Sequence, residues 1–506
     1  MAFIQPRDRV AELSTSNSQT VFALGGALNT SFNAFSASMA VGDVTVGGVV
    51  EDGVAFKAGM LTLTGANEIT VTTITESKGT FSPTGTKRVF MGLPSAMTVI
   101  GPMTFEPQGR LTLTSGVAVM NATVAAATAV YYTPSGGDLL PIYTGTNFTP
   151  VRFSERTNIL ADGATGNAGP AAVVPNANYD MYAWVSGASL VLSRSDYWKK
   201  SNASVSITAA TPGVVTWTGN DFDDGAPIVF ASVGTISNLT AGVTYYVKQT
   251  SGGVIANTFN LATTPGGAAI NTTGSTATGL TATASDKTGA VALASGGNCE
   301  RQSVNGLLLN KNAITNGPAA ARGTYLGTIR TNGTATVDFQ FGGVAAGGLP
   351  VKFGVWNMFK RNLYKTFVGD SSQAWQWLTA NQWRVANAPV SVAANGFINM
   401  GGYAIRGLDV DCIEATYEIA YSSNAGSVVT SIGIGVNTAV TFSGTNGYIS
   451  STPFQTGTAK YSGLMGQGWS YVAPLEFVST STGGFFSGNG SIPLQYQSGM
   501  HVEFWQ

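Results

Sequence analysis

The chain has 506 residues, of which only 10% are charged, and its 25 Lys+Arg against 26 Asp+Glu leave a net charge of -1. Roughly a quarter of an average soluble protein is charged; here small uncharged residues, 64 of them Gly, take that place. The balance leaves no basic excess to neutralise phosphates, 10% aromatic residues argue against disorder, and no apolar run approaches the roughly 18 residues of a spanning helix. A β-rich chain that hides part of its surface in an assembly fits this composition, because buried charges cost more than small polar groups.

In chain order, the opening MAFIQPRDRV lacks the apolar run of an export signal. Residues 9–15 and 372–379 are the best candidates for short helices. Elsewhere apolar residues recur with period two, at Val44 and Val46, Leu61 and Leu63, Ile69 and Val71, Leu111 and Leu113, and Val205 and Ile207. That spacing turns alternate side chains to one face and predicts strands. Turn clusters such as GAN at 65–67, SGGD at 135–138 and GNGS at 488–491 punctuate them, as in sandwiches and barrels. LPSAMTVIGP at 93–102, with two prolines, reads as a first linker. Residues 203–286 are rich in Thr, Ala and Gly with almost no Lys or Arg and read as an insert, whose flanks SDYWKKSN (195–202) and CERQSVNGLLLNKN (299–312) would be neighbours in one domain. The expected division is an N-terminal β module over 1–100, a β-sandwich region over 101–202 and 287–506, and the inserted module over 203–286. The expected fold class is all-β, elongated and largely antiparallel.

Few residue groups suit catalysis. His501 is the only histidine, so the commonest proton shuttle near neutral pH is nearly absent. Cys299 and Cys412 form no CxxC pair and read as small apolar residues, and no cofactor or metal site is expected. NDFDDG at 220–225 echoes a calcium loop through Asp221, Asp223 and Gly225, but Ser232 stands where the bidentate Glu belongs, so a solvated turn is expected. Asp409 and Asp411, two apart in an expected strand and close to Glu414, are the pair a glycan hydrolase would use; an exposed strand face is the simpler reading. For binding, Tyr364, Trp375, Trp377, Trp383 and Arg384 form the densest aromatic cluster, with Lys365 and Gln376 between them. Flat rings beside amides and cations suit a glycan receptor, while a core or a subunit interface is the simpler reading.

Four stretches resemble phage fibre proteins. DRVAELS (8–14), LGGA (24–27), GD (42–43), EDGVAFKAG (51–59) and GTKRVF (85–90) follow the order of an N-terminal module found in many phage tail-fibre-like proteins, with Phe56 where relatives carry Trp and without a Tyr expected in the opening strand. GRLTLTSGVAVM (109–120), TAVYYTPSGGDLLPIYTGTNF (128–148) and FSERTNIL (153–160) resemble a second recurrent fibre module, whose continuation would be Trp198, GLLLNKN (306–312) and ARGTYLGTIRT (321–331). GAPIVFASVGTISNLTAGVTYYV (225–247) with NTFNLATTPGGAAI (257–270) resembles a spacer module of phage tail proteins. TYLGTIRT, VKFGVWNMFKRN (351–362) and QSGMHVEFWQ (497–506) look like the jelly-roll-like end domain of similar virion proteins.

The resemblance implies a non-enzymatic virion appendage, exposed on the particle and built as a homotrimer. Phe3, Pro6, Arg7 and Arg9 would serve virion attachment. Its partners would be its own copies, other tail or portal-proximal virion proteins, and a host surface polysaccharide or protein receptor, with no nucleic acid and no membrane insertion. A head fibre, decoration or collar protein, and a depolymerase tailspike, are the alternatives.

Overall fold

The computed structural model describes residues 10–92, 105–163, 166–249, 257–289, 299–388, 400–423, 428–445, 447–449, 455–488 and 498–506. These form an all-β protein, with the 3-10 turn Phe35–Ala37 as the one helical element among them. The chain divides into two compact units, Met1–Met103 and Thr104–Gln506; Phe3, Pro6, Arg7, Arg9 and the expected linker lie outside the described residues. Both short-helix expectations are corrected. Ala11–Ser14 and Ala374–Trp377 are strands, because each lies against a neighbouring strand whose backbone supplies the hydrogen bonds a short helix would have to make alone.

The first unit is a six-stranded antiparallel sheet in the order Ala11–Ser14, Lys87–Met91, Val44–Glu51, Ala55–Gly65, Glu68–Lys78, Val21–Ala23. Its core takes Leu61, Leu63, Ile69 and Val71, the period-two residues, together with Phe22, Phe35 and Phe81. The fibre-like runs here hold turns in place. Buried Glu12 accepts hydrogen bonds from the amides of Gly26 (2.9 Å) and Phe35 (2.7 Å). Fully buried Lys87 donates to the carbonyls of Ser82 and Gly85, both at 2.8 Å. The Ser82 hydroxyl and amide hold the Glu51 carboxyl below its usual range.

In the second unit the run 109–160 folds as one interlocked piece. Gly109–Thr112 and Arg156–Ile159 flank Ala129–Pro134, and Leu139–Tyr143 pairs with Phe148–Arg152 around Gly145 at φ +107. Glu155 accepts from Ser115 Oγ (2.5 Å), the Gly116 amide (2.6 Å) and Thr133 Oγ1 (2.5 Å), so one carboxylate ties all three sequence runs together. Tyr132 stacks on Phe153 with ring centroids 4.9 Å apart.

The next sheet joins segments on both sides of the insert, in the order Ser189–Tyr197, Asn178–Ser186, Thr324–Arg330, Leu307–Asn310, Arg301–Val304. Tyr179, Met181 and Ala183 of Asn178–Ser186 face one apolar core and Tyr182 the other. Between its flanks runs a closed six-stranded barrel from Lys199–Ile207 to Ala277–Ser285, with a core of its own around Trp217, Phe222, Ile228, Tyr245 and Phe259. Tyr245 points into that core and Tyr246 stays half-buried, one ring on each side of the strand.

The C-terminal part carries two larger sheets. An eight-stranded one includes Val351–Phe353, Gly402–Arg406, Thr430–Val436 and Gly468–Val478, and a seven-stranded one includes Leu363–Asp370, Ile413–Ser423 and Gly499–Trp505. Phe353, Ile432 and Val472 from the first and Val368, Tyr417 and Phe504 from the second share one apolar core.

Gly109 has no room for a side chain: an added Cβ would press on the Tyr132 ring and come within 2.8 Å of Phe153 Cζ. We expect Gly109→Ala to lower stability by about 1–3 kcal/mol through overpacking, measured by denaturant unfolding; an unchanged midpoint would contradict this packing.

Candidate functional site

The cluster expected to contact a receptor separates into buried and exposed parts. Tyr364 is 7% exposed and packs among Phe339, Phe341 and Phe353, with centroids 5.3–5.7 Å away. Trp375 and Trp377 lie on the edge strand of the seven-stranded sheet and point inward, while Gln382–Val385 joins the eight-stranded sheet. The hairpin from 374 to 385 therefore closes one end of the space between the sheets. Trp375 Nε1 donates to Glu476 Oε1 at 2.6 Å and Trp377 Nε1 to the Gln382 carbonyl at 3.0 Å. Arg384 lies 4.4 Å from the Trp377 ring and holds Glu476 Oε2 at 3.0 Å through Nη2. Tyr364, Trp377 and Arg384 are thus packing and polar-core residues, which corrects their expected place on a contact surface: their apolar area is spent between the sheets.

Trp383 sits differently. It is half-buried, with Phe442 and Phe477 at centroid distances of 5.3 and 5.2 Å, and Phe442 is 40% exposed. Gly433 leaves room for them, since an added Cβ would meet Phe442 Cβ at 2.8 Å and the Trp383 ring at 3.2 Å. Exposed Asn381, two residues before Trp383, adjoins this aromatic surface. Sequence reasoning missed Phe442 and Phe477 because tertiary structure, not local spacing, brings them to Trp383: Phe477 is its direct cross-strand partner, and Phe442 comes from the loop after Thr430–Val436.

Asp409, Asp411 and Glu414 do not share one strand face. Asp409 and Asp411 lie in the loop between Gly402–Arg406 and Ile413–Ser423, not in a strand as expected. Asp409 accepts from the Gly466 amide at 3.1 Å, and Asp411 pairs with Arg361 Nε at 3.1 Å. Glu414 is exposed, directly across from Glu503. NDFDDG is likewise not a solvated turn. Asp221 pairs with Lys200, and Asp223 with Lys287 (2.9 Å) and Arg330. Burial pushes the Asp223 carboxyl up, but those two cations outweigh it and hold the group below its usual range. The turn fastens the barrel to the sheet that carries Arg330, helped by Asn176 Nδ2 donating to the Asp224 carbonyl at 2.7 Å.

Cys299 is buried and Cys412 exposed, and both are free thiols. Burial pushes the Cys299 thiol well up, so it stays protonated near neutral pH. A recess of about 190 Å³ opens beside it, lined by Tyr182, Asp196, Glu300 and Asn310; its two carboxylates are already paired with Lys199 and Lys311. Among the described residues no three His, Cys, Asp or Glu side chains group as metal ligands would, and no helix is long and apolar enough to cross a membrane. No family model matches the chain, and no curated protein matches it.

Glu476 gives the hairpin a pH signature. Burial pushes its carboxyl up to about 7, against the opposing pull of Arg384 and the Trp375 hydrogen bond. A raised folded-state value means the fold binds this proton more tightly than the unfolded chain does, so the contribution to stability is complete below pH 4.5 and lost as pH rises through about 7. The part of the melting temperature controlled by this group should fall across that window, and Glu476→Gln should flatten it; an identical slope in the variant would contradict the assignment.

Proposed function

We propose that the chain is a structural protein of a bacteriophage particle, a tail fibre or receptor-binding appendage, with jelly-roll-like distal β-sandwich domains assembled as a homotrimer. One observation carries the reading. The three runs that resemble a recurrent fibre module meet at one carboxylate, Glu155, which takes a hydrogen bond from the first run through Ser115 and from the second through Thr133. Their order along the chain thus corresponds to a physical unit, which shared turn chemistry alone would not produce. The continuation of that module after the insert also pairs with a strand that precedes the insert, Thr324–Arg330 lying beside Asn178–Ser186.

In this reading the N-terminal unit attaches to the particle and the C-terminal sheets face outward. Trp383, Phe442 and Phe477 offer rings to the apolar face of a sugar or a receptor side chain, with Asn381 as a hydrogen-bonding neighbour. Each contact is weak, and several copies on one particle gain avidity by raising effective concentration.

Purified chain should bind intact cells of the phage's host and compete with the phage for adsorption, and the Trp383→Ala, Phe442→Ala double variant should lose at least about tenfold of that binding, roughly 1.4 kcal/mol, while keeping a cooperative unfolding transition. Immunogold on particles should label the tail. Label confined to the capsid, with no adsorption competition, would move the protein to a head-fibre or decoration role; no label on particles at all would sink the reading.

A further inference from the structure

The outer face of the seven-stranded C-terminal sheet is amphipathic in a way its inner face does not require. Inward, Val368, Tyr417, Met500, Val502 and Phe504 are buried in the shared core. Outward, Leu363 and Trp505 form a cross-strand pair at 37% and 40% exposure. Two rows further along, Phe367 packs against exposed His501 in a tilted contact with centroids 4.7 Å apart. Isolated exposed apolar residues are ordinary, but here two such pairs share one face of adjacent strands.

The charges on that face are ordered. Four strands lie side by side as Leu363–Asp370, Gly499–Trp505, Ile413–Ser423 and Gln455–Gly463. The outer two carry Lys365 and Lys460; the inner two carry Glu503, Glu414 and Glu418. Glu414 stands directly opposite Glu503, a like-charge pairing that costs stability within one chain. Lys365 relieves only Glu503, at 2.6 Å; Glu414, Glu418 and Lys460 are exposed and make no ion pair among the described residues. With strands roughly 4.8 Å apart, the lysine and carboxylate stripes are spaced so that a lysine flank of one molecule can lie over the carboxylate stripe of another.

We infer that this face is covered by a second copy of the same chain, the lysine flank of one copy meeting the Glu414 and Glu418 stripe of the next, with Leu363 and Trp505 supplying apolar contact. The inference rests on the reading of the protein as a multi-copy appendage and names the surface that reading needs. The carboxylates that repel within one copy become partners between copies.

The test is light scattering after size exclusion on the full chain, from about 1 to 50 μM, across a range where a weakened interface would dissociate. Wild type is expected to be oligomeric. Glu414→Lys with Glu418→Lys, and separately Lys365→Glu with Lys460→Glu, should each weaken assembly by about tenfold or more, because like-charge juxtaposition is strongly unfavourable. Mixing the two variants should restore a joint oligomer. Circular dichroism of each variant checks that the fold survives. An oligomer that neither variant disturbs overturns the surface and leaves the multi-copy reading standing. A wild-type monomer throughout overturns both. A monomer whose emission responds to host-envelope polysaccharide, with the response lost in Trp505→Ala, gives the face to a receptor and also overturns the inference.

Discussion

Asp180 is the residue on which the interrupted architecture turns. It is completely buried, and its carboxylate takes Arg301 through Nε (2.8 Å) and Nη2 (2.6 Å), Trp198 Nε1 at 3.1 Å and Thr328 Oγ1 at 2.9 Å. Trp198 is the last residue before the barrel, and Arg301 and Thr328 come after it. Burial opposes the charge on Arg301, and the Asp180 carboxylate more than offsets that opposition, with the Tyr325 ring 4.0 Å from the guanidinium. A buried pair of this kind adds little over an apolar replacement but is strongly destabilising when half of it is removed. Here the donors to Asp180 come from both sides of the barrel, so the strands before and after it are held in one register.

Because that junction is closed, the barrel can be a self-contained guest. It has its own core and meets its host chiefly through directed polar contacts, Asp223 to Arg330 and Lys287, and Asn176 to Asp224. The same economy runs through the molecule. In a chain with so few charges, several are spent inside as clamps on backbone carbonyls: Lys87 on Ser82 and Gly85, Arg110 on Ala118 and Gln506, Arg194 on Ile159 and Ala171. The surface is consequently poorer in charge than the composition suggests, which makes the ordered stripes on the C-terminal sheet stand out.

The strands were legible because a half-buried sheet imposes period two, and every period-two residue named from the sequence is buried. Hairpins were legible where a turn demands particular residues, as at Gly145 between Leu139–Tyr143 and Phe148–Arg152. Short segments were not: 372–379 carries a helix-compatible composition, and only the ladder to Gly484–Ser487 makes part of it a strand. Sites were least legible. Asp409 and Asp411 looked like one strand face, yet the strand ends at Arg406. NDFDDG looked solvated because its cations, Lys287 and Arg330, lie 64 and 107 residues away. Density of tryptophan could not separate rings that fill the space between two sheets from Trp383, whose companions arrive from a distant strand and a distant loop.

The central physical claim, that Asp180 and Arg301 hold the module together across the barrel, is open to one direct measurement. In a double-mutant cycle of Asp180→Asn and Arg301→Gln, followed by denaturant unfolding, each single change should cost about 3–5 kcal/mol, because it strands a buried charge or its partners. The pair together should cost less than the sum by about 2 kcal/mol or more. Additivity within about 0.5 kcal/mol would mean the two side chains do not act on each other, and the account of how the chain closes around its insert would fail.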